Sequence, residues 1–284
     1  MSYWKHCAMP LTELMNYFND QLQSQARTKS LPRTGFYKAD NNYWARFGSL
    51  ILGSEFHVIH TLDEEFVIGY EAELIVRAST GNLINIDSIF NSLDSSEQIV
   101  HLDRLVRTLH SLNYLQQFDG QDHLLSLQVQ PRHIVSVTED HGKTFEAILS
   151  DCGLKSERVL LHTRLLDHTS LPHFQKALSS YRARGYKIGV TLTQARDLTL
   201  LANLGLTPEF IFVQYPAFDW GLRPDVSNSE QAYLAPVEFY EAKRILVAPD
   251  KTVLNLVGDQ LNGFLIAHQD YPESLVSLQQ VNAF

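Results

Sequence analysis

The segment GYEAELIVRA holds three side chains whose types and spacing could do chemistry: Glu71, Glu73 and Arg77. Alternate residues of a strand share a face, so Glu71, Glu73, Ile75 and Arg77 would point to one side. Carboxylates placed there could help to hold a hard divalent cation, and an arginine could grip a phosphate through paired hydrogen bonds. The other conspicuous donors are scattered. Of twelve histidines, His57 and His60 lie three apart and face opposite sides of a strand, His162 stands alone, and His168 and His173 sit near a loop. A zinc site needs three or four convergent donors, and no local pattern supplies them. Cys7 and Cys152 form neither a disulfide framework nor a zinc signature, and Cys152-Gly153 has no adjacent histidine to activate a thiol.

These groups must be positioned by a chain of 284 residues, 44% of them hydrophobic. That is enough for one sizeable core, and one α/β barrel of about 250 residues fits the length. The net charge is −9 and no run of five basic residues occurs, which argues against a broad grip on nucleic acid. A small phosphate ligand needs only one or two well-placed cations and is not excluded. The start, MSYWKHCAMP, has no apolar signal core, and no stretch approaches 18 apolar residues. The expectation is a soluble, cytoplasmic protein without a membrane span.

Residues 1–40 read as an N-terminal helix and linker, and 41–284 as the barrel domain. Leu11, Leu14, Met15, Phe18 and Leu22 recur at helical spacing, and the polar stretch QSQARTKSLPRTG follows. From about residue 45, strands alternate with helices. SLILGSEFHVIH and EFVIGYEAELIVRA are β-rich. SSEQIVHLDRLVRTLHSLNYLQQF sets Ile99, Leu102, Leu105, Val106, Leu109 and Leu112 on one helical face. Strands follow at HLLSLQVQ, ERVLLHTRLL, YKIGVTL, EFIFVQY and ILVAPD, and helices at FEAILSDCGL, LPHFQKALSSYRARG, TQARDLTLLANLG and VEFYEAKR. Gly185 is suited to cap a helix. Such alternation predicts parallel strands with crossover helices, closed as a barrel or open as a doubly wound sheet. DWGLRPDVSNSEQAYLAP reads as a polar insertion over 219–236, a loop or else a binding lip or dimer contact.

Several segments in order resemble the EAL domain family of bacterial cyclic-di-GMP phosphodiesterases. GYEAELIVRA resembles its Glu-Ala-Leu signature strand in two alternative alignments. Glu71-Ala72 keeps the letters but puts Ile75 in the place of the arginine. Glu73, Ile75 and Arg77 keep the spacing, and this alignment is preferred because it keeps the arginine. HLDRLVRTL resembles the Leu-Asp-Arg-Trp-Val helix, and GLKSERVLLHTR the Gly-Leu-x-x-x-Arg-Leu-x-Leu-Glu-Ile-Thr-Glu segment. YRARGYKIGVTL, LGLTPEFIFVQ and VGDQLNGFLI resemble later motifs, so the likeness spans about residues 50–270. It implies a TIM-like (β/α)8 barrel of EAL type in signal transduction.

The family is understood to cut cyclic di-GMP with two divalent metals, and the resemblance puts poor ligands at the places that hold them. Gln128 stands for Asn, His162 for Glu, Thr191 and Leu192 for paired aspartates, Phe212 for Lys, and Gln214 for Asp. Pro249 stands for a Glu with Asp250 beside it, and Asn262 for the Gln of Gln-Gly. No Asp or Glu occurs from Arg158 to Leu166 or from Gly185 to Arg196, and neither acid nor Lys from Phe210 to Phe218, so small shifts of register restore nothing. The expectation is a degenerate, catalytically inactive domain without metal or cofactor. It would act as an interaction module for a protein partner, a regulator or a signalling enzyme. The alternative is a metal-independent cyclic-di-GMP receptor using Glu73, Ile75, Arg77, His57, Gln128 and Asn262, and residual phosphodiesterase activity is the least favoured reading. A homodimer is implied by the resemblance alone.

Overall fold

The computed structural model describes residues 10–28, 31–118, 121–137, 143–151, 153–194, 196–215, 241–249, 251 and 262–266. Cys7, Cys152, Asp250 and the segment 219–236 lie outside them, as do residues 237–240, the first half of VEFYEAKR; the helix expected there is corrected at its end, where Lys243 and Arg244 begin a strand.

Eight strands close a barrel in the order β3 (Leu50–His60), β4 (Val67–Arg77), β5 (Leu124–Gln128), β6 (Val159–Arg164), β7 (Lys187–Leu192), β8 (Phe210–Gln214), β9 (Lys243–Ala248) and β10 (Gly263–Ile266), with β10 returning to β3. β3 runs antiparallel to both its neighbours, and β4 through β10 are parallel. Closure leaves the eight strands without a free edge, and it rules out the open sheet.

Helices cover the outside. α3 (Ser96–Phe118) buries Ile99, Leu102, Leu105, Val106, Leu109 and Leu112, as its periodicity predicts. It is also pinned by polar contacts. Asn113 accepts from the Tyr43 amide and donates to the Tyr43 carbonyl, both at 2.8 Å, and His110 meets Ser54 at 2.7 Å. Even-numbered β3 residues such as Ser54 therefore face the helices, and odd-numbered ones face the lumen. Within this layer Arg107 donates to the Asp103 carboxylate at 2.5 and 2.9 Å, and both residues are almost fully buried. The other Asp103 oxygen accepts from the Gln130 amide at 2.9 Å, tying the end of β5 to α3. α4 (Pro131–Ser136), α5 (Lys143–Asp151), α6 (Leu171–Ala183) and α7 (Arg196–Ala202) complete the described shell, with α2 (Ile86–Ser92) after β4. Gly185 adopts a φ of +88° just beyond α6, in keeping with its expected capping role.

The N-terminal region holds more structure than its composition suggests. α1 (Leu11–Thr28) runs into the stretch read as linker, and β1 (Thr34–Ala39) begins inside it. β1 and β2 (Asn42–Phe47) form a hairpin whose two turn residues, Asp40 and Asn41, have φ of 48° and 63°. Such a turn matches the twist of the strands it joins. β2 then pairs with the start of β3. α1 packs Leu14, Met15 and Phe18 on this ribbon, and Asn19 bonds both the amide (2.6 Å) and the carbonyl (2.8 Å) of Phe36. The helix thus satisfies backbone groups on an edge strand that water would otherwise serve. Among the described residues no helix is long and apolar enough to cross a membrane.

Candidate functional site

The lumen has an apolar floor and a polar upper layer. Ile59, Leu160, Phe210, Phe212 and Ile245 form a buried cluster, joined by Ile68, Leu124 and Val247. Most of these come from the amino-terminal halves of parallel strands, so they plug that end, as barrel interiors are generally filled. Above the plug lie Glu71, Glu73, His57, His162 and Thr191.

His162 is the hub of this layer. Its Nε2 lies 2.7 Å from Glu71 Oε1, and its Nδ1 lies 2.8 Å from Thr191 Oγ1. The Phe212 ring stacks on it, with centroids 4.5 Å apart and planes 29° apart. Gly189, beside His162 in the ladder, makes the room: a Cβ there would stand 2.9 Å from the His162 Cβ. A second pair lies alongside, with His57 Nε2 2.7 Å from Glu73 Oε2. The β3–β4 register sets His57 opposite Glu71 and Glu55 opposite Glu73.

Burial and charge oppose one another here. Burial pushes the Glu71 carboxyl up, but the His162 ring, with His57 behind it, outweighs burial and holds it below the usual carboxylate range. Burial pushes the His57 ring down, but Glu73, then Glu55 and Glu71, outweigh that and raise it above the ordinary histidine value. The layer is therefore ionised at neutral pH at Glu71, inside a mostly buried site.

The remaining expected residues fall into three places. Gln128 and Gln214 are exposed at the carboxyl ends of β5 and β8, and Pro249 follows β9, half-buried. Arg77 ends β4 at the same mouth, donating to the Gly81 carbonyl at 3.2 Å, while its Nε is buried without a hydrogen-bond partner. Ile75 below it is 3% exposed. It shares a cross-strand row with Gly53 and Trp44, whose indole lies 2.6 Å from where a Gly53 Cβ would be, so the β1–β2 ribbon adds a wall at the mouth. Two residues do not join this group. Leu192 faces outward into the core beneath the helices and is fully buried. Asn262 sits at the amino-terminal start of β10, its Oδ1 accepting from the Arg244 amide at 2.9 Å, at the end opposite the mouth. The expectation that Asn262 shares a ligand pocket with Glu73 and Arg77 is corrected on this point: its side chain closes the β9–β10 pair. The link from His162 to Thr191, and the direct contact of Glu71 with His162, were not read from sequence. Strand parity puts Glu71 on the lumen face but cannot say which glutamate reaches β6.

No protein-family model matches the chain, and no curated protein matches it. Solved structures do. The Klebsiella pneumoniae protein BlrP1, as its manganese and cyclic-di-GMP complex, superposes with a TM-score of 0.58 at 20% identity, over 76% of this chain and 54% of that one. The fold is that of EAL-domain proteins. Bacillus subtilis YkuI, a protein with an EAL domain solved with cyclic di-GMP and calcium, gives 0.56 at 18% identity, over 75% and 52% of the two chains. The EAL domain of Xanthomonas citri FimX, bound to cyclic di-GMP, gives 0.56 at 16%, over 76% and 85%. The chain spans about half the length of BlrP1 and YkuI. In this EAL fold, no group of three His, Cys, Asp or Glu side chains among the described residues is placed to hold a metal ion.

Proposed function

We propose that this chain is a catalytically inactive EAL-fold module that works in signalling as a regulatory protein-interaction domain. The observation that carries the proposal is the hydrogen-bonded chain Glu71–His162–Thr191 against the Phe212 ring. BlrP1 and YkuI were solved with manganese or calcium beside cyclic di-GMP. Such ions take hard oxygen ligands. Here Glu71 and Glu73 are each bonded to a histidine, and Thr191, Phe212 and Gln214 offer a hydroxyl, a ring and an amide. The residues present do not fit an oxygen-ligated metal pair, and no hydrolytic step runs through them. The contact of Glu71 with His162 supports the first alignment of the signature, with Glu71 as its glutamate and Ile75 in the place of its arginine. Incubation with cyclic di-GMP and Mg²⁺ or Mn²⁺ should release no linear dinucleotide. Clear turnover, abolished by Glu71→Ala, would overturn inactivity. The interaction role predicts a partner that co-purifies in stoichiometric amount and re-forms the complex from separately purified components. Failure to re-form it removes that role.

A second reading, a metal-independent cyclic-di-GMP receptor, is favoured by Arg77. It stands at the mouth with a buried, unpartnered Nε, on the strand next to β5, whose carboxyl end is exposed at Gln128. An arginine so placed can answer a phosphate with a charge-assisted bond. Submicromolar binding in chelator, lost in Arg77→Ala, would support it, and no heat at high micromolar ligand would sink it.

A further inference from the structure

A separate cleft of about 280 Å³ lies at the carboxyl ends of β5, β6 and β7, against α2. None of the lumen residues lines it. Three arginines reach it, Arg132, Arg164 and Arg196, against two aspartates, Asp87 and Asp197. In a chain of net charge −9 this local balance stands out.

The charged groups are not equally engaged. Arg132 donates to the carbonyls of Phe90 and Leu93 and braces the wall. Asp197 is 2% exposed and accepts from the Thr193 amide at 2.7 Å, the Thr193 hydroxyl at 3.1 Å and the Gln194 amide at 3.1 Å, so its charge is answered inside its own turn. Asp87 meets Arg164 only loosely, at 3.5 Å, with side chains 63% and 39% exposed. A surface pair of that kind is worth little and yields readily to a stronger anion. Arg196 is exposed, and with its amide oxygen turned inward Gln194 accepts from Arg196 Nε at 2.8 Å and from its Nη2 at 3.0 Å. Arg164 is thus held only by a loose ion pair and Arg196 only by a neutral amide, neither by a close carboxylate, and a guanidinium fork matches phosphate geometry.

The rest of the lining suits more than a bare ion. Its volume is close to the lower end of small-molecule sites, about 300 Å³. Asn91 and Gln130 carry amides with both donors and acceptors, which can read the edge of a heterocyclic base, and Phe90 and Leu165 supply an apolar floor. We propose that this cleft binds a mononucleotide-sized ligand, its phosphate between Arg164 and Arg196 and its base against the amides. The site does not depend on the catalytic status of the lumen.

The test is calorimetric titration in chelator with GMP, with cyclic di-GMP and with inorganic phosphate, on the intact chain and on Arg164→Gln, Arg196→Gln and Arg77→Gln. Arg196 is exposed and Arg164 half-exposed with only a loose surface pair, so their variants should keep the parent melting temperature. GMP should bind, weaken about tenfold in Arg164→Gln and in Arg196→Gln, and be unchanged in Arg77→Gln. Displacement of GMP by cyclic di-GMP would identify the dinucleotide as the source of the phosphate. Lack of displacement would assign the cleft to the mononucleotide. Absence of GMP heat, or affinity unchanged from the parent in both cleft variants, overturns the proposal. Cyclic-di-GMP binding that depends on Arg77 and ignores both cleft arginines would leave the receptor reading standing while removing this one.

Discussion

Glu71 on β4 and His162 on β6 meet across the lumen at 2.7 Å, although 91 positions separate them in the chain. Both are largely buried, with side chains 14% and 6% exposed. Removing one partner of a buried pair leaves an unanswered group, whereas replacing both can be nearly neutral. His162→Ala should therefore cost about 3 kcal/mol in urea unfolding, part of it from the lost Phe212 stacking. The double variant Glu71→Leu with His162→Leu should recover much of that loss. Equal or greater destabilisation in the double variant would show that the pair is not coupled.

Gly189 should tolerate no side chain. A Cβ there meets the His162 Cβ at 2.9 Å and has the Phe210 carbonyl 3.4 Å away. Gly189→Ala is expected to cost about 1–3 kcal/mol by overpacking. It should also displace the His162 ring, visible as a shifted imidazole resonance.

Stability should fall on acidification below neutral, chiefly through His110. Its ring is fully buried and its pKa is pushed down to about 4 by that burial. The folded state therefore keeps it neutral where the unfolded chain binds a proton. Stability is whole above the unfolded value near 6.5, falls as pH drops from there to about 4, and then levels. The total is on the order of 3 kcal/mol. Replacing His110 with Asn should flatten the pH dependence of chemical denaturation in that window.

Two lumen groups add opposite slopes. Glu71, held below its ordinary value, contributes stability above that value that is lost as pH falls through the folded pKa. His57, raised, contributes stability below its unfolded pKa that is lost as pH rises through the folded one. Glu73→Gln removes the first charge that raises His57, so its resonance should titrate at lower pH than in the parent.

Asp103 holds together α3, the start of α4 and the end of β5. Asp103→Asn would leave Arg107 buried with a weakened partner and should cost about 3–5 kcal/mol. Because Asp103 Oδ1 also accepts from the Gln130 amide, faster amide exchange at Gln130 should accompany the loss.

Much of the architecture was legible in the residue pattern. The apolar face of α3, the β-rich runs and the alternation of strand with helix follow from side-chain period, which is local. The β1–β2 ribbon was not legible. Asp40-Asn41 is a weak turn signal beside Asn-Gly or Asp-Gly, and the ribbon is stabilised by Asn19 and Asn113, remote in sequence. In the site, strand parity correctly grouped Glu71, Glu73 and Arg77 on one face. It could not place Leu192, which parity with Thr191 sends outward, or Asn262, which sits at the far end of its strand.

By itself the amino-acid sequence determined the strand–helix order, the face each strand turns inward, and the absence of acids along three strand segments, because these depend only on neighbours along the chain. Tertiary structure alone decided that Glu71 rather than Glu73 reaches His162, that Phe212 caps the ring, and that Arg164 and Arg196 share a cleft. Those outcomes depend on barrel closure and stagger, which bring together strands and loops that no local spacing relates.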